Sequence, residues 1–325
     1  MSIIGVSKTD IIEEFAMDVK LGLSKKPKSI NPKYFYDEEG SKLFEEICKQ
    51  REYYPTRTEK WIIKEYVSDI LAYDDNISLI ELGSGSSNKT RFFIEHLLQK
   101  QRELYYMPID ISYSALQSAI DNLSNSYDNL NAIGITADYI EGIKIASKIV
   151  RKDKIDASKL ILFLGSSIGN LELDACKNFL RLLRNNISKR DRLLIGFDLK
   201  KDVKILEDAY NDKAGVTARF NLNLLRRINR ELGGRFDINN FMHNAYYNEK
   251  HSRIEMHIIS KIKQDVYIDA LEGYVKFDEG ESIHTENSYK FSIEDIDILI
   301  NSVGLKVEKH YTDNKRWFDL ALIKI

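Results

Sequence analysis

Several things are scarce in this 325-residue chain, and each scarcity removes a class of protein. There are two cysteines, Cys48 and Cys176, and they lack the paired spacing of a metal site or a disulfide framework. They read as reduced thiols of a cytoplasmic protein. Prolines number four, and no proline-rich linker, low-complexity tract or internal repeat breaks the chain. No apolar run approaches the roughly 20 residues that cross a bilayer. The start, Met1 to Asp10, has neither the basic opening nor the apolar core of a signal peptide. A net charge of -2 and a pI near 6.4 give no global field toward nucleic acid or an anionic membrane surface. What is present in quantity is 43% hydrophobic residues, enough to build a sizeable core in one large or two modest domains. The expectation is a monomer acting on a small molecule, with no nucleic-acid or membrane partner.

Two rhythms follow one another along the chain. From Ile77 to Asp198 strands alternate with helices: strands at 77–82, 104–109, 132–136, 159–164 and 191–197, helices at about 90–101, 114–123, 140–150 and 172–186. That alternation predicts a parallel sheet covered on both faces. A helix-rich stretch at 202–232, a Gly233-Gly234 break and strands of alternating polarity at 240–248, 253–263 and 266–275 then predict inserted helices with an antiparallel sheet. The first rhythm resumes with a helix at 292–303, capped by Ser292 and ended by Gly304, and a strand pair at 305–311 and 318–325. The predicted architecture is α/β: a Rossmann-like sheet domain from 62–200 plus 288–325, and a second, inserted α+β substrate-binding or lid domain from 1–61 plus 201–287.

The first strand runs into Glu81-Leu82-Gly83-Ser84-Gly85-Ser86-Ser87-Asn88-Lys89-Thr90. An acidic strand end followed by two glycines is a ligand-binding turn, since glycine lets the backbone turn tightly and approach a ligand. It has no Gly-Lys-Ser/Thr to cradle phosphates and no third glycine of a dinucleotide fingerprint. That combination is the pattern of S-adenosylmethionine (SAM) sites. Asp110, ending the second strand, suits a pair of ribose hydroxyls, and it could equally cap the following helix. Asp138 and Tyr139, after the third strand, could take an adenine amino group and its ring face, or could be ordinary turn residues. Asn170 closes Leu162-Phe163-Leu164-Gly165-Ser166-Ser167-Ile168-Gly169-Asn170 at the carboxyl edge of the sheet. Its amide could hold an amine or a carboxylate, or cap the next helix.

Nearly the whole chain resembles the histidine-specific SAM-dependent methyltransferases, which make hercynine, the trimethylated betaine of histidine, in ergothioneine biosynthesis. The resemblance rests on Pro32–Asp37 with Gly40–Phe44, Glu52-Tyr53-Tyr54-Pro55-Thr56-Arg57-Thr58-Glu59, Glu81–Gly85 with Lys89-Thr90, Phe163–Asn170, Ala209–Thr217, Asn229–Leu232 and Thr285–Phe291. It implies a cofactor site of Gly83, Lys89, Asp110, Asp138 and Tyr139 with Tyr36 closing over it, and S-adenosylhomocysteine as the co-product. It implies that Asn170 and Tyr210 hold the amino acid's α-amino and carboxylate groups. Tyr53, Glu286 and Ser288 would engage the imidazole, and Phe44 and Met256 would line the pocket. Without the resemblance, Tyr53, Tyr210 and Glu286 are unremarked members of common residue types.

The implied substrates are L-histidine and its mono- and dimethylated forms. Methyl transfer from a sulfonium needs no metal; none is expected, and the six histidines read as surface or packing residues. The neutral amine must be aligned with the S–CH3 bond. Gly165, Ser166 and Gly169 would leave room for accumulating methyl groups. Two alternatives stay open: a relative acting on another aromatic amino acid such as tryptophan, which the Glu286 carboxylate disfavours, and a non-catalytic SAM- or amino-acid-binding module.

Overall fold

An eight-stranded sheet organises the first of two units in the computed structural model, which describes residues 2–5, 8–152 and 155–325. This unit comprises Met1–Gly5, Pro55–Lys200 and Lys290–Ile325. Its strands lie in the order Ser2–Gly5, Leu130–Thr136, Leu104–Asp110, Ile77–Leu82, Ser158–Phe163, Arg192–Asp198, Phe318–Lys324, Lys306–Thr312. The first six are parallel, Phe318–Lys324 runs antiparallel to both of its neighbours, and Lys306–Thr312 therefore points the same way as the first six. Every residue of Ile77–Leu82 is buried, as expected of a central parallel strand covered on both faces. The covering helices are amphipathic; Leu173–Asn185 turns Cys176, Phe179, Leu180 and Leu183 inward at helical spacing. The strand order reverses between Ile77–Leu82 and Ser158–Phe163, so a crevice for ligands opens at the carboxyl ends of these two strands.

The helix Ile293–Asn301 begins with a capping box between Ser292 and Asp295, and Gly304 (φ +74°) follows its end, as the sequence predicts. Where the chain leaves this unit and returns, the two stretches are stapled. Phe291 N donates to Asp198 O at 3.0 Å, Lys200 N donates to Phe291 O at 2.9 Å, and the buried Lys290 ammonium sits 2.7 Å from the Asp198 carboxylate.

Two pieces of the expected 1–61 segment belong to this unit instead. Ser2–Gly5 extends the sheet edge by pairing in parallel with Leu130–Thr136. Its four residues are too few to show a strand period. The helix Tyr54–Ile70, with Pro55 in its first turn, delivers Ile62, Ile63 and Ile70 to the sheet core.

The second unit, Val6–Tyr54 and Lys201–Tyr289, is built on a smaller sheet ordered Lys28–Ser29, Ser282–Tyr289, Arg253–Ser260, Phe241–Asn248. The last three strands are antiparallel and Lys28–Ser29 pairs in parallel. The helix Val216–Leu232 packs on this sheet and stops at Gly233 (φ +65°), where a side chain would strike Asp269. The single strand expected at 266–275 is a hairpin, Gln264–Ile268 with Gly273–Phe277. Asp269–Leu271 forms a tight turn and Glu272 is left-handed (φ +49°) ahead of Gly273. The apolar alternation continues on both sides of the turn, which hides the break from a periodicity argument.

Candidate active site

In the first unit the glycine turn is tied down by the second strand. The Gly83 and Ser84 amides donate to Ile109 O at 2.8 and 3.2 Å, and the Gly85 amide donates to Asp110 Oδ2 at 2.8 Å. Gly83 (φ +67°) lies under the Tyr139 hydroxyl, 3.1 Å from where a β-carbon would stand. At Gly85 (φ +48°) nothing lies within 4 Å of that position, so the backbone is bare toward the crevice. This cradle, with the Asp110 carboxylate at its rim, suits an adenosyl group and offers nothing for a triphosphate.

Asp110 is buried, and burial pushes its carboxyl above the ordinary range despite amide bonds from Ser112, Gly85 and Ile111. The cap of the following helix is Ser112, which accepts from Ala115 N at 3.4 Å. Asp138 is exposed and accepts from Glu141 N at 2.9 Å, a capping bond. The Tyr139 ring meets Phe163 edge-on at 5.1 Å.

Glu81 points into the protein. It accepts from Thr90 Oγ1 at 2.5 Å and from the Tyr106 hydroxyl, and burial raises its carboxyl to about 7. Asn170 ends the tight turn Ser167–Asn170 that follows Gly165 (φ +78°) and Ser166 (φ +57°). It does not cap the next helix, whose N-cap is Glu172. Among the described residues its side-chain amide has no hydrogen-bond partner.

The second unit brings the remaining expected residues together. Tyr36, Phe44, Tyr53 and Tyr210 form a chain of edge-on rings with centroids 5.7, 6.2 and 6.3 Å apart, and Phe220 packs beside Tyr36 and Phe44. Tyr36, expected at the cofactor, is part of this aromatic group. Glu286 is paired with Met256 across the strands, and Ser288, two residues on, shares its face. The Tyr210 hydroxyl donates to Ser288 Oγ at 2.7 Å. Burial drives the Tyr53 hydroxyl well above its ordinary pKa, with Tyr210, Cys48, Tyr36 and Glu286 adding to the effect, so it stays protonated.

A β-bulge at Thr285 sets which way Glu286 faces. His284 pairs with His257 and Glu286 with Met256, so the extra residue moves Glu286 to the Met256 face; unbroken alternation would leave it on the face of His284. Buried Asn221, from the helix Val216–Leu232, fixes the bulge: its Oδ1 accepts from Thr285 Oγ1 at 2.8 Å, and Thr285 also donates to Met256 O at 3.0 Å.

Sequence reasoning missed Asn221, and it missed His243. The Asn221 amide donates to His243 Nδ1 at 2.8 Å, which leaves Nε2–H to donate to Tyr210 O at 2.9 Å. Burial lowers the His243 pKa, so the ring is a neutral strut behind Tyr210. The loop bearing Tyr210 is closed by Asp212, which accepts from Val216 N and Thr217 N at 2.8 and 2.7 Å. Burial raises its carboxyl, but these bonds outweigh that and hold it below the ordinary range. The outer face of the sheet groups Glu255, His257 and His284, the one metal-competent cluster among the described residues. Glu255 is already engaged by Arg253, Asn248 and Tyr246, so it serves as an ion-pair partner there.

An open, mainly parallel sheet with a bare glycine turn at its switch point, an acidic end to the next strand and no phosphate loop defines a Rossmann-like methyltransferase. The chain belongs to the histidine-specific, SAM-dependent methyltransferases, whose family pattern matches residues 15–325. It is 37% identical over 310 residues to a histidine N-alpha-methyltransferase of Mycolicibacterium smegmatis, spanning 95% of this chain and 94% of that protein. More distant are ergothioneine biosynthesis protein 1 of Schizosaccharomyces pombe, 25% identical across 85% of this chain and 36% of its own length, and an L-tryptophan methyltransferase of Psilocybe serbica, 27% identical across 93% and 90%. Among the described residues no helix is long and apolar enough to cross a membrane.

Proposed function

We propose that this enzyme transfers methyl groups from SAM to the α-amine of L-histidine, three times in succession, giving the trimethylated betaine hercynine for ergothioneine biosynthesis in the cytoplasm. The observation that carries the reading is Glu286: a buried carboxylate on one strand face with Ser288 and Met256, next to the Tyr53 and Tyr210 rings. A carboxylate accepts an imidazole N–H, and does so more strongly from a cationic ring; the hydroxyl of Ser288 adds a partner that can donate or accept. The reading gives Gly83, Lys89, Asp110, Asp138, Tyr139 and Tyr36 to the methyl donor. It gives Asn170 and Tyr210 to the substrate's amine and carboxylate, and Phe44, Tyr53, Met256, Glu286 and Ser288 to its ring.

When bound, SAM supplies a methyl carbon already made electrophilic by its sulfonium. The chain's residues must present a neutral amine lone pair to it, and an α-amine with a pKa near 8 in peptides has first to lose a proton. Tyr53 is too strongly held in its protonated form to accept that proton, and His243 has both ring nitrogens engaged. Proton release to solvent fits these constraints. Exposed Gly165 beside Asn170 offers no side chain to obstruct an amine that grows with each round.

Calorimetry with SAM and histidine, followed by mass spectrometry of the mixture, tests the reading. Tight binding of both and accumulation of trimethylhistidine is the expected result. Methylation of tryptophan in preference to histidine, or binding of either ligand without turnover, would overturn it.

A further inference from the structure

We propose that Glu59 is a positioning residue: its single carboxylate holds both the lysine that follows the glycine turn and the turn that carries Asn170. The inference rests on the functional reading above and names a residue for which that reading has no role. Glu59 lies on the helix Tyr54–Ile70 and is wholly buried. Its Oε1 accepts the Gly165 amide at 2.8 Å and its Oε2 takes the Lys89 ammonium at 2.5 Å. The neighbouring strand is kept bare for it. A β-carbon at Gly196 would stand 2.5 Å from Glu59 Oε1, so any larger residue there would push the carboxylate off its partners.

The two partners are the parts of the crevice whose placement matters most. Lys89 ends the loop that begins at Gly83, and its side chain is 23% exposed against 0% for Glu59, so the ammonium stands at the rim while the carboxylate is inside. Gly165 opens the left-handed pair Gly165-Ser166, and the same turn ends at Asn170. Its other anchors are Asp198 N donating to Ser166 Oγ at 2.9 Å and Gly169 N donating to Ser166 O at 2.9 Å. With Glu59 removed, one end of the turn loses its fixed acceptor and Lys89 loses the carboxylate it pairs with. A carboxylate desolvated to this degree is retained at a cost unless both bonds are made. Its placement at the switch point of the sheet locates that cost where ligands bind.

The test compares Glu59→Gln, Glu59→Ala, Lys89→Met and the double variant E59Q/K89M. SAM affinity is measured by calorimetry, kcat with histidine by product formation, and amide exchange of the peptide containing Gly165 by mass spectrometry. Glutamine keeps an acceptor for Gly165 and loses the charge for Lys89. E59Q should therefore weaken SAM binding about tenfold, and K89M at least as much, with normal exchange at Gly165. The double variant should be no worse than K89M alone, because Glu59 acts on SAM binding through Lys89. E59A should in addition speed exchange at Gly165 and lower kcat about a hundredfold, a loss that E59Q restores.

Additive losses in the double variant, or E59A with unaltered exchange and kcat, would overturn the inference. If E59A does not fold, the E59Q and K89M cycle decides alone. Unmodified enzyme that bound no SAM would sink the functional reading and this inference together. Normal binding by the unmodified enzyme with E59Q unchanged would sink this inference only.

Discussion

At the carboxyl edge of the parallel sheet the candidate cofactor cradle is made largely of backbone, whereas the candidate substrate group on the antiparallel sheet is made of side chains. Gly83, Gly85 and Gly165 hold positive φ and shape the turns, their amides tied by Ile109, Asp110 and Glu59. Tyr53, Tyr210, Glu286 and Ser288 instead converge from three separate stretches of chain, with ring edges and hydroxyls as the contacts. The difference matches what each ligand of the proposed reading offers. A cofactor shared by many enzymes can be held by a turn that reads shape, while choosing one amino acid requires a charge and a hydroxyl at fixed points on a strand.

The largest effect expected from this contrast is at Asp110. Asp110→Ala removes the acceptor for Gly85 and Ser112 amides as well as the proposed ribose contact. SAM affinity should fall by about a hundredfold or more, since bonds to a charged group are each worth about 1.5–3 kcal/mol. Calorimetry decides, and an unchanged dissociation constant would mean that the turn does not hold the donor. The middle effect is at Glu286. Glu286→Gln should lower kcat/KM for histidine about tenfold to a hundredfold with SAM affinity intact, and Glu286→Leu should raise the relative rate on tryptophan. A parallel loss of SAM affinity in these variants would erase the distinction between the two regions.

The same contrast explains what the sequence disclosed. The βα rhythm from Ile77 to Asp198 and the glycine turn are local patterns, and each strand appears within a residue or two of its predicted bounds. Ser292 and Gly304 were legible for the same reason: capping chemistry is written into three or four consecutive residues. Glu286 was not legible in this sense. Its orientation depends on an extra residue at Thr285, held by Asn221 from a helix sixty-odd positions earlier, and strict alternation from Ile283 would have turned it the other way. Glu59, Asn221 and His243 act through partners remote in sequence, so no spacing rule marks them. Only the resemblance gave Tyr53 and Tyr210 their standing.

The smallest effect concerns the outer face of the antiparallel sheet, where polar side chains pair with one another. Glu255 accepts from Tyr246, Asn248 and Arg253 at 2.8, 2.9 and 2.8 Å, with His257 Nε2 at 3.3 Å and His284 beyond it. Burial raises its carboxyl, but the bonds from Tyr246 and Arg253 outweigh this and bring it down to about 2. A carboxyl depressed below its unfolded value, near 4.3, contributes stability that is complete above that value and is lost as pH falls toward 2. Glu255→Gln should therefore lower Tm by a few degrees at pH 7. The gap should shrink to about half by pH 3, as protonation removes from the unmodified protein what the substitution already removed. His257 works in a separate window: burial and then His284 lower its pKa, so its contribution fades as pH falls below about 6.5. Because both proteins carry His257, their Tm difference reads Glu255 together with its contact to His257. Melting curves at pH 7, 5, 4 and 3 read that difference directly, and a gap that persists unchanged at pH 3 would show that Glu255 contributes by packing and not by charge. Methyl transfer at pH 7 should be retained in the variant, because Glu255 faces away from Glu286 on the same sheet.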